Sequence, residues 1–264
     1  MLKTVQVNGR SQCVWDQGTG PVLLFVHGFP LDHTMWQRQI AELREMRIVA
    51  PDLRGFGGSD SSAGKVTMQD FADDLVALLD ALQIQNPVNF CGLSMGGYIA
   101  WQFWSRHAPR LARLILCDTR AAADAESAVQ DRRVNAQRVL NEGMEFLSAA
   151  MSSRLFAPET HTHQPLIVSD TCAVMRRTDP RGAAAALLGM AERPDITPML
   201  PRIRVPTLVV CGAHDAIAPP DEMRGIAAAI PAARYLEVPH AGHMAPLEQP
   251  HLVNAALRDF ILTG

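Results

Sequence analysis

The stretch Val88–Gly97, Val-Asn-Phe-Cys-Gly-Leu-Ser-Met-Gly-Gly, limits what this chain can fold into more than any other. A short apolar run of strand character meets a glycine-flanked turn, and the helix-compatible segment Met95–His107 follows. Gly92-Leu93-Ser94-Met95-Gly96 fits Gly-x-Ser-x-Gly, a strand-to-helix elbow that lifts a serine on a strained backbone. Residues two before and two after the serine must lack bulk so that strand and helix can approach. The first N–H groups of the helix, and its dipole, favour negative charge beside Ser94. Three fixed residues in five are a weak signal alone. The apolar residues before the turn and the helical pattern after it give the signal its weight.

The rest of the chain supplies a setting for such an elbow. Thr4–Val7 and Cys13–Asp16 alternate around Asn8-Gly9, which predicts a hairpin. Val22–Val26 is continuously apolar, as a strand buried on both faces is. Trp36–Glu45 reads as an amphipathic helix and Arg47–Ala50 as a strand. Thr67 is placed to cap a helix running to Gln83, with Phe71, Leu75, Leu78, Leu79 and Leu82 on one stripe. Leu114–Cys117 is the next strand, ending at Asp118. From Arg120 to Leu200 no strand-like run appears, and the segment reads as several helices broken at Pro158, Pro165 and Pro180. Strands resume at Val205–Cys211 and Arg234–Val238, with helices at Asp221–Ala229 and Pro246–Leu262. This order predicts an α/β fold, a mostly parallel sheet with helices on both faces. Residues 1–119 and 201–264 are expected to form the core, and 120–200 a helical cap.

Composition narrows the function. Of 264 residues, 48% are hydrophobic and 19% charged, the make-up of an ordered globular protein. The net charge is −3 and no long basic run occurs, which argues against nucleic acid as a partner. No apolar run approaches a membrane span, and the first residues lack the apolar core of a signal peptide. Cys13, Cys91, Cys117, Cys172 and Cys211 are odd in number and show no Cys-x-x-Cys spacing. They read as small core residues in a reducing, cytoplasmic setting.

Ligands in such sheets sit at the carboxyl ends of the strands. His27, Ser94, Asp118, Asp215 and the loop holding His243 all follow predicted strands, so they gather on one edge. A serine hydroxyl needs a base to take its proton and a third group to orient that base. His243, in the loop Pro239-His240-Ala241-Gly242-His243, is the best candidate base, with His240 as a rival. Asp215, in Cys211-Gly212-Ala213-His214-Asp215, is the best candidate acid, with Asp118 as a rival. The backbone N–H groups of Met95 and Phe29 are candidates for an oxyanion hole, and Pro30 has no N–H to offer. His27 is expected to brace that loop, and Arg54 to brace the catalytic edge. Asp70, Asp73, Asp74 and Asp80 read as a solvated helix face. His107 needs only the dipole of its helix end. His161 and His163 read as solvated loop, without a ligand set for a metal. Trp101, Phe103 and Trp104 read as core.

His27-Gly28-Phe29-Pro30, Asp52-Leu53-Arg54-Gly55 through Ser59, Gly92–Gly97, Gly212–Asp215 and Gly242-His243 occur in this order on the expected elements. Over nearly its whole length the chain resembles α/β-hydrolase fold enzymes. Among them it is most similar to small-cap carboxylesterases and 3-oxoadipate enol-lactone hydrolases, by Leu31–Trp36 and Gly92–Ala100. Relatives with an Asp nucleophile share His-Gly-Phe-Pro, but here the elbow carries Ser94. The resemblance implies a serine hydrolase without cofactor or metal, acting on a small-molecule ester or lactone through an acyl-enzyme. Ser94 would be its nucleophile, His243 its base and Asp215 its orienting acid. Relatives also use this triad on carbon–carbon bonds of ring-cleavage products or for perhydrolysis, and some bind small molecules without turnover. Met144, Phe146, Leu147, Met151, Met175 and Met190 suggest an apolar roof, and Arg176 and Arg177 are expected at the surface.

Overall fold

β1 (Leu2–Val7) and β2 (Arg10–Gln17) form the predicted hairpin. The chain turns through Asn8 and Gly9 at positive φ of 51° and 75°, as a two-residue hairpin turn of matching twist requires. The computed structural model describes residues 1–263. β3 (Val22–Val26) follows, then a 3-10 turn at His33–Trp36 and α1 (Gln37–Glu42). The helix expected over Trp36–Glu45 is therefore shorter, because Leu43 leaves helical geometry at ψ 60°. β4 is Arg47–Pro51 and α2 is Met68–Ala81. Thr67 closes a capping box with Asp70, each side chain bonded to the other's backbone N–H.

β5 (Val88–Leu93) leads into α3 (Met95–His107), and β6 is Leu111–Cys117. Five α-helices and a 3-10 turn at Thr197–Arg202 then fill the stretch before the next strand: α4 (Glu126–Glu142), α5 (Glu145–Leu155), α6 (Pro158–His163), α7 (Pro165–Arg177) and α8 (Pro180–Ala191). Pro158, Pro165 and Pro180 each open a helix, where a missing N–H leaves no bond unmade. β7 (Thr207–Gly212), α9 (Pro220–Ala229) and β8 (Arg234–Val238) resume the alternation. The closing helix expected over Pro246–Leu262 is two helices, α10 (Ala245–Glu248) and α11 (Pro250–Leu262). Gln249 sits between them outside helical geometry, at φ −129° and ψ 60°, since a following proline disfavours the helical region.

The eight strands lie in the order β1-β2-β4-β3-β5-β6-β7-β8, parallel from β4 to β8. The chain runs from β3 outward to β4 and then returns to β5 on the other side. The loops after β3 and β5 therefore flank the switch point where such sheets bind ligands. Along β3, Leu24 and Val26 enter one apolar cluster and Leu23 and Phe25 the other, so the sheet is buried on both faces. Each large side chain so buried contributes about 1.5–3 kcal/mol. Trp101 and Phe103 belong to this core, with Trp104 packed against it. Among the described residues no helix is long and apolar enough to cross a membrane.

The acidic face expected on α2 is corrected at one position. Asp74 is buried, held by Arg54 Nη2 at 2.5 Å and by Asn8 Nδ2 at 3.0 Å. Asp73 pairs with Arg106 and with His107, whose Nε2 lies 2.7 Å away, so that histidine has a carboxylate partner as well as a helix end.

Candidate active site

β5 ends at Leu93, and Ser94 turns the chain at φ 54°, ψ −110°. That conformation is strained for a residue with a Cβ, by about 1–3 kcal/mol. It is fixed from both sides: Ser94 N donates to Cys117 O at 2.9 Å, and Gly97 N closes on Ser94 O at 2.9 Å. A Cβ on Gly92 would lie 2.3 Å from Gly96 O, so strand and helix meet where no side chain fits. Ser94 is half-buried among buried neighbours. Met95 opens α3, which leaves its N–H among the free donors of the first turn.

The loop after β3 lies against this elbow. A Cβ on Gly28 would lie 3.4 Å from Ser94 Cβ, and one on Gly96 3.1 Å from His27 O. Leu31 N donates to Gly28 O at 2.9 Å, tightening the turn that presents Phe29. Phe29 is half-buried, its ring edge-on to Phe56. His27 is fully buried, and its Nε2 accepts from Leu53 N at 3.0 Å. Its proton therefore sits on Nδ1, 3.0 Å from Gly28 O. Burial pushes the pKa of His27 down, so the ring is a neutral strut between two loops.

Asp215 and His243 meet at the ends of β7 and β8. Asp215 Oδ2 accepts from His243 Nδ1 at 2.8 Å, with both residues buried. The other oxygen, Oδ1, accepts from Ile217 N and Ala218 N at 2.7 and 3.0 Å. A carboxylate held by three donors is fixed in place, and in the neutral imidazole it selects the tautomer with the proton on Nδ1 and Nε2 as acceptor. His214 N donates to Ala241 O at 2.8 Å and stitches the two loops together.

The rivals make other bonds. Asp118 Oδ1 accepts from Gly212 N at 2.8 Å, and its Oδ2 is buried with no partner. Burial, reinforced by the charge of Asp215, pushes the Asp118 carboxyl well above the usual carboxylate range. His240 is exposed and pairs through Nδ1 with Glu159 at 2.8 Å. His161 packs edge-on to Phe156. Of the residues expected to form an apolar roof, Met144, Leu147 and Met190 are buried in one apolar cluster, and Met175 is buried in the other. Arg177 is exposed and bonds Asp32 Oδ2 at 2.6 Å.

Among the described residues, two groups of three side chains bring ligand-type atoms within 4.8 Å: Asp32-His33-Asp52 and Asp118-Cys211-Asp215. In the first, Asp52 already accepts from His33 N, His33 Nδ1 and Gly58 N. In the second, Asp215 is held by His243, and burial pushes the Cys211 thiol up, which keeps it protonated. Neither set offers the free anionic donors a divalent metal requires.

Two residues escape a reading of the sequence. Asp74 is one. The other is Glu248, buried on α10, whose carboxylate accepts from Gly242 N, Ala157 N and Thr160 Oγ1. A lone glutamate in the apolar run Ala245-Pro246-Leu247-Glu248 is the signal that could have found it.

Comparison with known proteins follows the same line. The family model described as alpha/beta hydrolase fold matches residues 21–250. A thermophilic esterase from Thermogutta terrifontis, solved with malate bound, superposes with a TM-score of 0.97 at 42% identity, covering 100% of this chain and 98% of its own. The enol-lactonase from Burkholderia xenovorans superposes with a TM-score of 0.91 at 32% identity, covering 99% of this chain and 100% of its own. The 3-oxoadipate enol-lactonase 2 of Acinetobacter baylyi is 31% identical over 97% of this chain and 96% of its own length.

Proposed function

The chain belongs to the alpha/beta hydrolase fold family, and from that premise we propose that it is a serine hydrolase of carboxylic esters or lactones working through an acyl-enzyme. The observation that carries this reading is the buried Asp215–His243 hydrogen bond, on the sheet edge that also carries the strained Ser94 elbow. The similarity to an esterase and to two enol-lactonases supports the bond type.

In this reading Ser94 Oγ attacks the carbonyl carbon while His243 Nε2 takes its proton. The oxygen turns negative and meets the N–H groups of Met95 and Phe29, each such donor being worth about 10²–10³ in rate. The tetrahedral intermediate collapses, His243 protonates the departing alkoxide, and the acyl group stays on Ser94. Water, deprotonated by the same imidazole, then attacks the acyl-enzyme, and Ser94 leaves with the proton. Asp215 keeps the imidazole in the tautomer this cycle needs and stabilises its charged form.

The test is initial rates on p-nitrophenyl esters of rising acyl length and on neutral and carboxylated lactones, with Ser94→Ala as the blank. A Ser94-dependent rate on any of them is the expected result, with a loss of roughly 10⁴-fold or more in the variant. Equal rates from both proteins, or none from either, would overturn it.

A further inference from the structure

His243 is carried by a loop, and loops are placed by what holds them. Gly242, the residue before it, donates its N–H to Glu248 Oε1 at 2.8 Å. The other oxygen, Oε2, reaches a different part of the chain: it accepts from Ala157 N at 2.8 Å and from Thr160 Oγ1 at 2.5 Å. Ala157 and Thr160 lie at the α5–α6 junction, in the helical stretch between β6 and β7. Glu248 is 2% exposed and Thr160 1%. Contact between the two parts is close as well as bonded. A Cβ on Gly242 would lie 2.6 Å from Ala157 N and 2.7 Å from Phe156 C. Gln164 Nε2 donates to Glu248 O at 3.3 Å, and His240 is paired with Glu159.

We propose that Glu248 is a positioning residue that locks the His243 loop to the helical stretch at Ala157–Thr160, so that the base is in register only when those helices are seated. The proposal rests on reading His243 as the base. A carboxylate suits this place because both of its oxygens accept and neither must donate. Two of the donors, Ala157 N and Thr160 Oγ1, would lose their acceptor if the helices lifted away, while Gly242 N would keep Glu248 Oε1 on a carboxylate no longer held from the other side. Thr160 is thereby linked to Gly242, the residue before His243, through two hydrogen bonds to one carboxylate.

The experiment compares wild type, Glu248→Gln and Thr160→Val. Glutamine keeps the size but puts an NH₂ against one of the backbone N–H groups. Thr160→Val removes one donor on the helical side and touches nothing near His243. Three quantities are read: kcat and KM on the best ester of the panel, the melting temperature, and the exchange rate of the low-field His243 Nδ1 proton by NMR. Glu248→Gln should lower kcat about tenfold with KM within about twofold, and Thr160→Val should lower kcat about threefold. In both, the His243 proton should exchange faster. Unchanged kcat and unchanged exchange, with only a lower melting temperature, would make Glu248 a structural brace and overturn the proposal. If Glu248→Gln does not fold, Thr160→Val decides alone by the same readings. If wild type has no Ser94-dependent rate, it is the base assignment that fails, and proton exchange still reports whether Glu248 fixes the loop.

Discussion

Asp118 and Asp215 bring carboxylate oxygens within 4.8 Å of each other in the interior, and it is Asp215 that bonds His243 while Asp118 bonds the Gly212 N–H. Two carboxylates this close do not both ionise readily. Burial, and then the charge of Asp215, push the Asp118 carboxyl up, which favours its protonated form.

The consequence is a stability that depends on pH. A carboxyl whose folded pKa is raised contributes stability that is fully present below its unfolded value, 3.8, and is lost as pH rises through the folded value. Asparagine keeps the acceptor for Gly212 N and never ionises. Melting temperatures of Asp118→Asn and wild type should therefore diverge in favour of the variant as pH rises from about 4 to about 8. A constant gap across that range would contradict a protonated Asp118.

The His33–Asp52 pair, 2.6 Å apart, has the opposite signature at its two ends. Burial lowers the pKa of His33, but the hydrogen bond and charge of Asp52 outweigh it and the net shift is upward. Burial raises that of Asp52, but His33 and the N–H groups of Gly58 and His33 outweigh it and the net shift is downward. The His33 contribution is full below 6.5 and lost as pH rises through its raised value. The Asp52 contribution is full above 3.8 and lost as pH falls through its lowered value. The melting-temperature deficit of His33→Asn should be widest between those values and shrink on the alkaline side. A deficit that grows with alkalinity would refute the pairing.

Arg54 and Asp74 are both largely buried, at 15% and 7% side-chain exposure. Asp74→Ala strands the guanidinium, so urea unfolding should register a loss on the order of 3 kcal/mol. Adding Arg54→Met should recover part of it, because an apolar partner no longer needs a counter-charge. A single-variant loss below about 0.5 kcal/mol would place the pair with ordinary surface ion pairs.

Legibility in the sequence followed the range of the interaction. The elbow could be read because its constraint is local: Gly92 and Gly96 are four residues apart and touch. The helix starts at Pro158, Pro165 and Pro180 were marked by the residues themselves, although as openings rather than breaks. The His243–Asp215 pairing spans 28 residues, and the loop pattern of each partner pointed to it. Asp74 was misread because a helix pattern gives its outward face, while its partners Arg54 and Asn8 arrive from other elements. Glu248 went unseen for the same reason, its partners Ala157 and Thr160 lying 91 and 88 positions away.

The acyl-enzyme itself gives the most direct test. Wild-type protein is mixed with a p-nitrophenyl ester, quenched in acid during turnover, and its peptides are weighed by mass spectrometry. One acyl group is expected on the peptide carrying Ser94, absent from Ser94→Ala and both slower to form and longer-lived in His243→Ala. Turnover with Ser94 unmodified at every quench time, or an acyl group on another residue, would contradict it.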